Sequence, residues 1–442
     1  FQGYKPLRLR NWERFPVPPA SIDAVVLTHA HLDHSGYLPV LVREGFRGPV
    51  FCTPATEALC RILLLDSAHL LEEEAKYANR KGSSKHHPAL PLYTREDAEA
   101  ALHHLHAIEP GTTFTPAPGV EAMFRGAGHI LGAASVTFEH AGTRVGFSGD
   151  LGRFDDAVMR APEPPGDADV LVVESTYGDR LHPAVDAEAE LGSAIARVAA
   201  RGGVAVIPSF AVGRAQALLH LLARLKASGA IPRALPVYLN SPMADAATRL
   251  YARFPHAHRL SPSQCATLRT TATVIVDAEQ SKALNRRHGP MVILSASGMA
   301  TGGRVIHHLV AFTPDPRNAI LLAGFQAGGT RGARLAAGEK TLRIFGEDVP
   351  VRAEVVQLGA SSAHADADGL IAWLRSAPRP PRQVFVTHGE PAAADALRLR
   401  IGRELGWNAD VPEWRQVVDL RALAGRSDLA VMESSGGDAA TD

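Results

Sequence analysis

His29-Ala-His31-Leu-Asp33-His34 joins the apolar run Ala24–Leu27 to a helix-like stretch that begins near Gly36. Four potential metal ligands fall within six residues. At the end of a strand, His29 and His31 can point into one pocket. Asp33 and His34, one turn further on, can face a second point close by. Imidazole with carboxylate is the donor mixture of zinc, and also of iron or manganese. The plain alternative is a solvated polar run, but such a run does not sit between a buried strand and an apolar helix.

Around this segment the chain alternates short Val/Ile/Leu-rich runs with helical patterns. Val145–Phe147, Val170–Val173, Val204–Ile207, Val237–Leu239, Thr273–Val276, Met291–Leu294, Ala319–Leu322 and Val384–Val386 predict strands. Most lack polar alternation, as strands buried on both faces do. Ala215, Leu218, Leu219, Leu222 and Leu225 predict a helix over Arg214–Ser228. Leu370, Ile371 and Leu374 predict another over Asp366–Ser376, with Asp366 as its N-cap. The alternation implies a layered α/β architecture. Asp155–Asp169 and Lys81–Pro91 read as loops, and residues 425–442, without periodicity, as a disordered tail.

A length of 442 residues suggests about three structural units. The apolar fraction of 46% and charged fraction of 21% are those of a globular chain, not of a disordered or collagen-like one. Lys plus Arg and Asp plus Glu are each 46, which excludes a globally basic nucleic-acid binder but not a local basic channel. Cys52, Cys60 and Cys265 are too few and too scattered for a disulfide framework or a thiolate zinc site, which points to the reducing cytoplasm. No apolar run approaches the roughly 18 residues of a membrane span, so no membrane partner is expected.

Three further segments carry chemistry. His129 lies in the Gly-flanked turn Ala127-Gly-His129-Ile-Leu-Gly132. Asp150 follows Ser148-Gly149 at the end of a strand, where a carboxylate can bridge two metals. His364 lies in Ser361-Ser-Ala-His364-Ala-Asp366, just before a helix. Taken singly, such histidines are more often packing residues; beside the dense His/Asp run they read as ligands.

Together, the His/Asp run, Gly128-His129 and Ser148-Gly-Asp150 resemble the metallo-β-lactamase fold. Glu174-Ser-Thr-Tyr-Gly178, Pro208-Ser-Phe-Ala-Val-Gly-Arg214, Ser241-Pro-Met243, Ser297-Gly-Met299 and Ser361–Asp366 resemble its β-CASP branch, which holds the cleavage-and-polyadenylation nuclease and bacterial and archaeal RNases. The resemblance implies a four-layer αββα domain with an inserted α/β cap. The boundaries it suggests are 1–176 for the first part of the metallo-β-lactamase domain, 177–334 for the β-CASP insert and 335–424 for the return. It implies two Zn2+ per chain. His29, His31 and His129 would hold one, Asp33, His34 and His364 the other, and Asp150 would bridge, with Asp33 and Asp150 serving catalysis. From their own positions after strands, Glu174 and His388 are expected to stand behind the ligands. Relatives carry strands and an Asp-Cys-Gly turn before Phe1-Gln2-Gly3, so the N-terminal strands of the sheet are expected to be missing. Arg334 stands where eukaryotic relatives have a histidine proposed as general acid, so water is expected to protonate the leaving oxygen.

Phosphodiester chemistry also needs an anion held in place. Pro208–Arg214 and Ser295–Arg304 have the strand–Gly-rich loop–helix form that can present N–H groups to a phosphate. Ser209, Arg214, Ser297, Arg304 and Arg334 are therefore the expected substrate contacts. The reading is a zinc-dependent ribonuclease acting on single-stranded RNA, leaving 5′-phosphate and 3′-hydroxyl ends; a homodimer is compatible with it. Two alternatives remain. A small-molecule hydrolase (lactonase or β-lactamase-like) would not need the cap, and a non-catalytic RNA-processing subunit should have lost ligands.

Overall fold

The computed structural model describes residues 4–82, 84–420 and 423. The expected tail over residues 425–442 lies outside them. The first part of the chain carries β1 (Val25–Val26), β2 (Val50–Cys52), β3 (Leu105–Ala107), β4 (Thr113–Ala117), β5 (Val120–Gly126), β6 (Ala134–His140), β7 (Thr143–Phe147) and β8 (Val170–Glu174). The insert carries β9 (Val204–Pro208), β10 (Val237–Asn240), β11 (Thr273–Val274), β12 (Met291–Ser295) and β13 (Ala319–Ala323). After these come β14 (Thr341–Ile344), β15 (Glu347–Pro350), β16 (Glu354–Leu358), β17 (Gln383–Thr387) and β18 (Ala409–Asp410).

β1, β2 and β3 form a parallel three-stranded sheet. A second sheet has the order β18-β17-β8-β7-β6-β5-β4. It is antiparallel from β4 to β7 and parallel from β7 to β18. Phe114, Ala122, Phe124, Ala134 and Val136 fill the space between the two sheets, against Val26, Phe51 and Phe138. Helix Pro54–Lys81 packs over the first sheet and Pro391–Leu405 over the second, giving the αββα order. β1 is an edge strand, and its side of the sandwich opens on an apolar cleft of about 470 Å3 lined by Ile22, Val26, Val136, Phe138 and Phe147.

The insert is built on a six-stranded sheet of order β11-β10-β12-β9-β13-β16 in which every pairing is parallel. β9, β12 and β13 are buried at every residue, which is why they read as unbroken apolar runs. The helix expected over Arg214–Ser228 has those bounds and ends on Gly229 in the left-handed region. Asp366 caps helix Ala367–Arg375 by accepting from Gly369 N–H at 2.9 Å. The insert is expected to end at residue 334. β16 still pairs with β13 from Ala319↔Glu354 to Ala323↔Leu358, so the insert's sheet draws its last strand from beyond that point.

The topology also gathers chain ends. β7, β8 and β17 are parallel neighbours, with Phe147 opposite Val172 and Thr387 opposite Glu174. Asp150, Glu174 and His388 therefore emerge side by side at the carboxyl ends of adjacent strands, where open α/β sheets place their sites.

Candidate metal centre

Each ligand-bearing loop is short and pinned. Past β1, Thr28 O accepts from Ala134 N at 2.9 Å. His31 then precedes helix Leu32–Ser35, and Ser35 Oγ ties that turn down by donating to Ala30 O at 2.8 Å. Gly149 has φ +56, and a methyl there would fall 2.8 Å from Thr28 Cβ. Only glycine lets the β7 end approach His29 this closely. His388 adopts φ +57, a conformation uncommon for a side-chain-bearing residue, and lies in the turn that follows β17.

Two clusters result. In the first, His31 Nδ1 and His129 Nε2 are 3.2 Å apart. Asp150 Oδ2 lies 3.5 Å from His29 Nε2 and 3.6 Å from His129 Nε2. In the second, His34 Nε2 and His388 Nε2 are 3.0 Å apart, and Asp33 Oδ2 lies 3.4 Å from His388 Nε2 and 3.9 Å from His34 Nε2. Asp150 Oδ1 stands 3.4 Å from His34 Nε2. One carboxylate thus turns an oxygen to each cluster.

These separations suit a metal. Donors about 2.0–2.1 Å from a tetrahedral zinc lie roughly 3.3 Å from one another. His29 Nε2 and Asp150 Oδ1 are buried without a hydrogen-bond partner among the described residues, although buried polar atoms are normally paired. Burial holds the His29 and His129 imidazoles well below their usual range, in the neutral form that ligates. For Asp150 burial alone would raise the carboxyl, but the His388 and His29 charges and the adjacent His34 ring hold it well below the carboxylate range. Burial likewise works against charge on His388, yet Asp150 and Asp33 push it up to about 10. The pocket draws in positive charge.

The structure divides the expected residues differently in one respect. His364 does not join Asp33 and His34; His388 does. The His364 ring lies 4.3 Å from that of His129, and its Nδ1 is 3.1 Å from Glu174 Oε1. Glu174, 1% exposed, also accepts from Leu151 N at 2.7 Å and Thr176 N at 3.1 Å. It orients His364 and the backbone beside Asp150. The signal for His388 was present in Thr387-His-Gly-Glu390 directly after a strand.

The five expected substrate contacts are placed differently. Arg304 is spent on structure, donating to Asn240 Oδ1, Ile275 O and Val276 O at 2.9–3.0 Å. Arg334 lies on the surface, paired with Glu339 at 2.7 Å through Nε. Its other hydrogen bond goes to Thr341 O at 3.4 Å. Ser297 Oγ accepts from Thr301 N at 3.1 Å within its own loop. Ser209 is buried, with its N–H on Ser295 O. Arg214 alone remains a buried cation without a partner among the described residues.

A His/Asp centre at strand ends, beneath an inserted parallel sheet, defines a hydrolase of the metallo-β-lactamase class. Residues 4–208 match the beta-lactamase superfamily domain, 215–335 the Beta-Casp domain and 348–412 the Zn-dependent metallo-hydrolase RNA specificity domain. Ribonuclease TTHA0252 of Thermus thermophilus is 40% identical over 408 residues, covering 90% of this chain and 88% of the relative. The transcription termination factors FttA of Methanosarcina mazei and Methanocaldococcus jannaschii are 33% and 31% identical over 88% of this chain. The chain spans only 61% and 63% of those archaeal relatives. The chain belongs to the β-CASP family of metallo-β-lactamase-fold ribonucleases. Among the described residues no helix is long and apolar enough to cross a membrane.

Proposed function

We propose that this protein is a zinc-dependent ribonuclease that hydrolyses single-stranded RNA to 5′-phosphate and 3′-hydroxyl ends. The observation that carries the reading is Asp150, one oxygen turned to each of two His/Asp clusters. His29, His31, His129 and Asp150 Oδ2 would hold one Zn2+; Asp33, His34, His388 and Asp150 Oδ1 would hold the other. Two zinc ions so bound would supply Lewis acidity to the phosphate and bring the pKa of water down to about 7.

The chain's own groups do the rest. Glu174 accepts from His364 Nδ1–H, which fixes the ring and leaves Nε2 as the second proton site. Burial disfavours charge on His364, but Glu174 outweighs it and raises the imidazole above its usual range. His364 is thereby suited to pass a proton from Nε2 to the leaving 3′-oxygen, in place of the water expected from the sequence. Thr176 Oγ1 lies 3.3 Å from His388 Nδ1, which steadies that ring with Nε2 toward Asp33.

The test is incubation of zinc-reconstituted protein with end-labelled RNA, end-labelled DNA and a lactone. RNA shortening is expected; lactone hydrolysis with intact RNA would overturn the reading.

A further inference from the structure

The insert buries a positive charge that the fold leaves unneutralised. Arg214 begins helix Arg214–Ser228 and is 8% exposed. Among the described residues its guanidinium makes no hydrogen bond or ion pair, and Nε is fully enclosed. Asp156, whose charge reaches it, is outside ion-pair distance, and its Oδ1 accepts from the N–H groups of Val158 and Met159 at 2.7 Å. Arginine stays charged in any protein interior. A buried, unpaired guanidinium is costly and has no structural return.

The backbone before it is in the same condition. The N–H groups of Ser209, Arg214 and Ala215 bond to Ser295 O, Val212 O and Phe210 O. Those of Phe210, Ala211, Val212 and Gly213 find no acceptor among the described residues, although Ala211 and Val212 are buried. Successive free N–H groups in a turn form an anion-binding concavity. Gly213, at φ +78, permits the turn, and a methyl there would fall 2.6 Å from Ile130 Cγ2.

The position is adjacent to the centre. The Phe210 ring lies 6.2 Å from that of His31. Gly213 abuts Ile130, the residue after His129. On the other side the Tyr177 ring, which senses the Arg214 charge, lies 6.2 Å from that of His364. We propose that Phe210–Arg214 is a second phosphate seat, holding the RNA phosphodiester next to the one that is cut. The inference rests on the reading of the centre as RNA-cleaving. One linkage alone would then be a poor substrate, because the neighbouring phosphate orients the scissile one.

The test is a neutral-linkage scan. Short RNAs with one defined cleavage site carry a single methylphosphonate at successive flanking linkages. In the wild-type enzyme one adjacent position should lower kcat/KM by about 10–100-fold, the range for losing hydrogen bonds to a charged group. Arg214→Gln should slow the natural RNA by a similar factor and become insensitive to that linkage only. Wild-type indifference to both adjacent linkages would overturn the seat, as would multiplying penalties in the variant. The wild-type arm decides the matter even if Arg214→Gln fails to fold. If the wild-type enzyme cuts no RNA, the ribonuclease reading falls, and the same scan read by fluorescence anisotropy decides the seat by binding alone.

Discussion

His388 Nε2 stands 3.0 Å from His34 Nε2, although 354 residues separate them. His364, much closer to His388 in sequence, turns instead to Glu174 at 3.1 Å. This division sets distinct fates for two histidines that look alike in the chain.

His388→Ala should release one metal ion, lowering the zinc content from about two to about one per chain. His364→Ala should retain both. Elemental analysis of the two purified variants after zinc reconstitution distinguishes them. Loss of metal from His364→Ala with full occupancy in His388→Ala would reverse the assignment.

His364→Ala should lower kcat by about 10²–10⁴-fold, the usual worth of a positioned general acid. A substrate with sulfur in place of the bridging 3′-oxygen leaves as a thiolate and needs no proton. On that substrate most of the loss should disappear. Glu174→Gln keeps an acceptor for Leu151 N–H but removes the charge beside His364, and should show a milder version of the same pattern. An equal loss on both substrates would mean that His364 does not deliver the proton.

Much of the fold and of the His/Asp cluster is legible in the sequence. His29, His31, Asp33, His34 and Asp150 stand out because they follow short apolar strands, and His129 because it sits in a glycine-flanked turn. The partition of His364 and His388 was not legible, because a tally of ligands cannot say which loop descends beside Asp33. That depends on β17 pairing with β8 in parallel, which sets Thr387 opposite Glu174. For Arg304 and Arg334 the limit is related: a sequence shows a charge but not its partners, here the carbonyls of Ile275 and Val276 and the carboxylate of Glu339. β4 and the β14–β15 hairpin were missed because short, partly exposed strands give weak apolar signals.

The insert carries its own pH sensor of stability. His308 is buried, accepting from Asn240 Nδ2 and donating to Asn285 Oδ1, both at 2.6 Å. Burial pulls its imidazole from 6.5 down to about 4, helped by the charges of His307 and Arg304. The unfolded chain takes up a proton below about pH 6.5, whereas the folded histidine does so only near pH 4. Its contribution is therefore whole above pH 6.5 and lost progressively as the pH falls toward 4. Between pH 7.5 and 5, His308→Gln should lose about 2 kcal/mol less stability than the wild-type chain. Denaturant titrations at the two pH values measure this; parallel losses in both chains would remove His308 as the cause.

The most direct measurement of the central claim is the chemistry of the cut ends. Water attacking phosphorus at a His/Asp metal centre cannot involve the ribose 2′-oxygen in the new bond. Mass spectrometry of products from a defined RNA, cut by the zinc-reconstituted wild-type protein, should show 5′-phosphate and 3′-hydroxyl termini, with the same ends when the scissile nucleotide carries a 2′-O-methyl group. A 2′,3′-cyclic phosphate as the main product, abolished by 2′-O-methylation, would contradict the account.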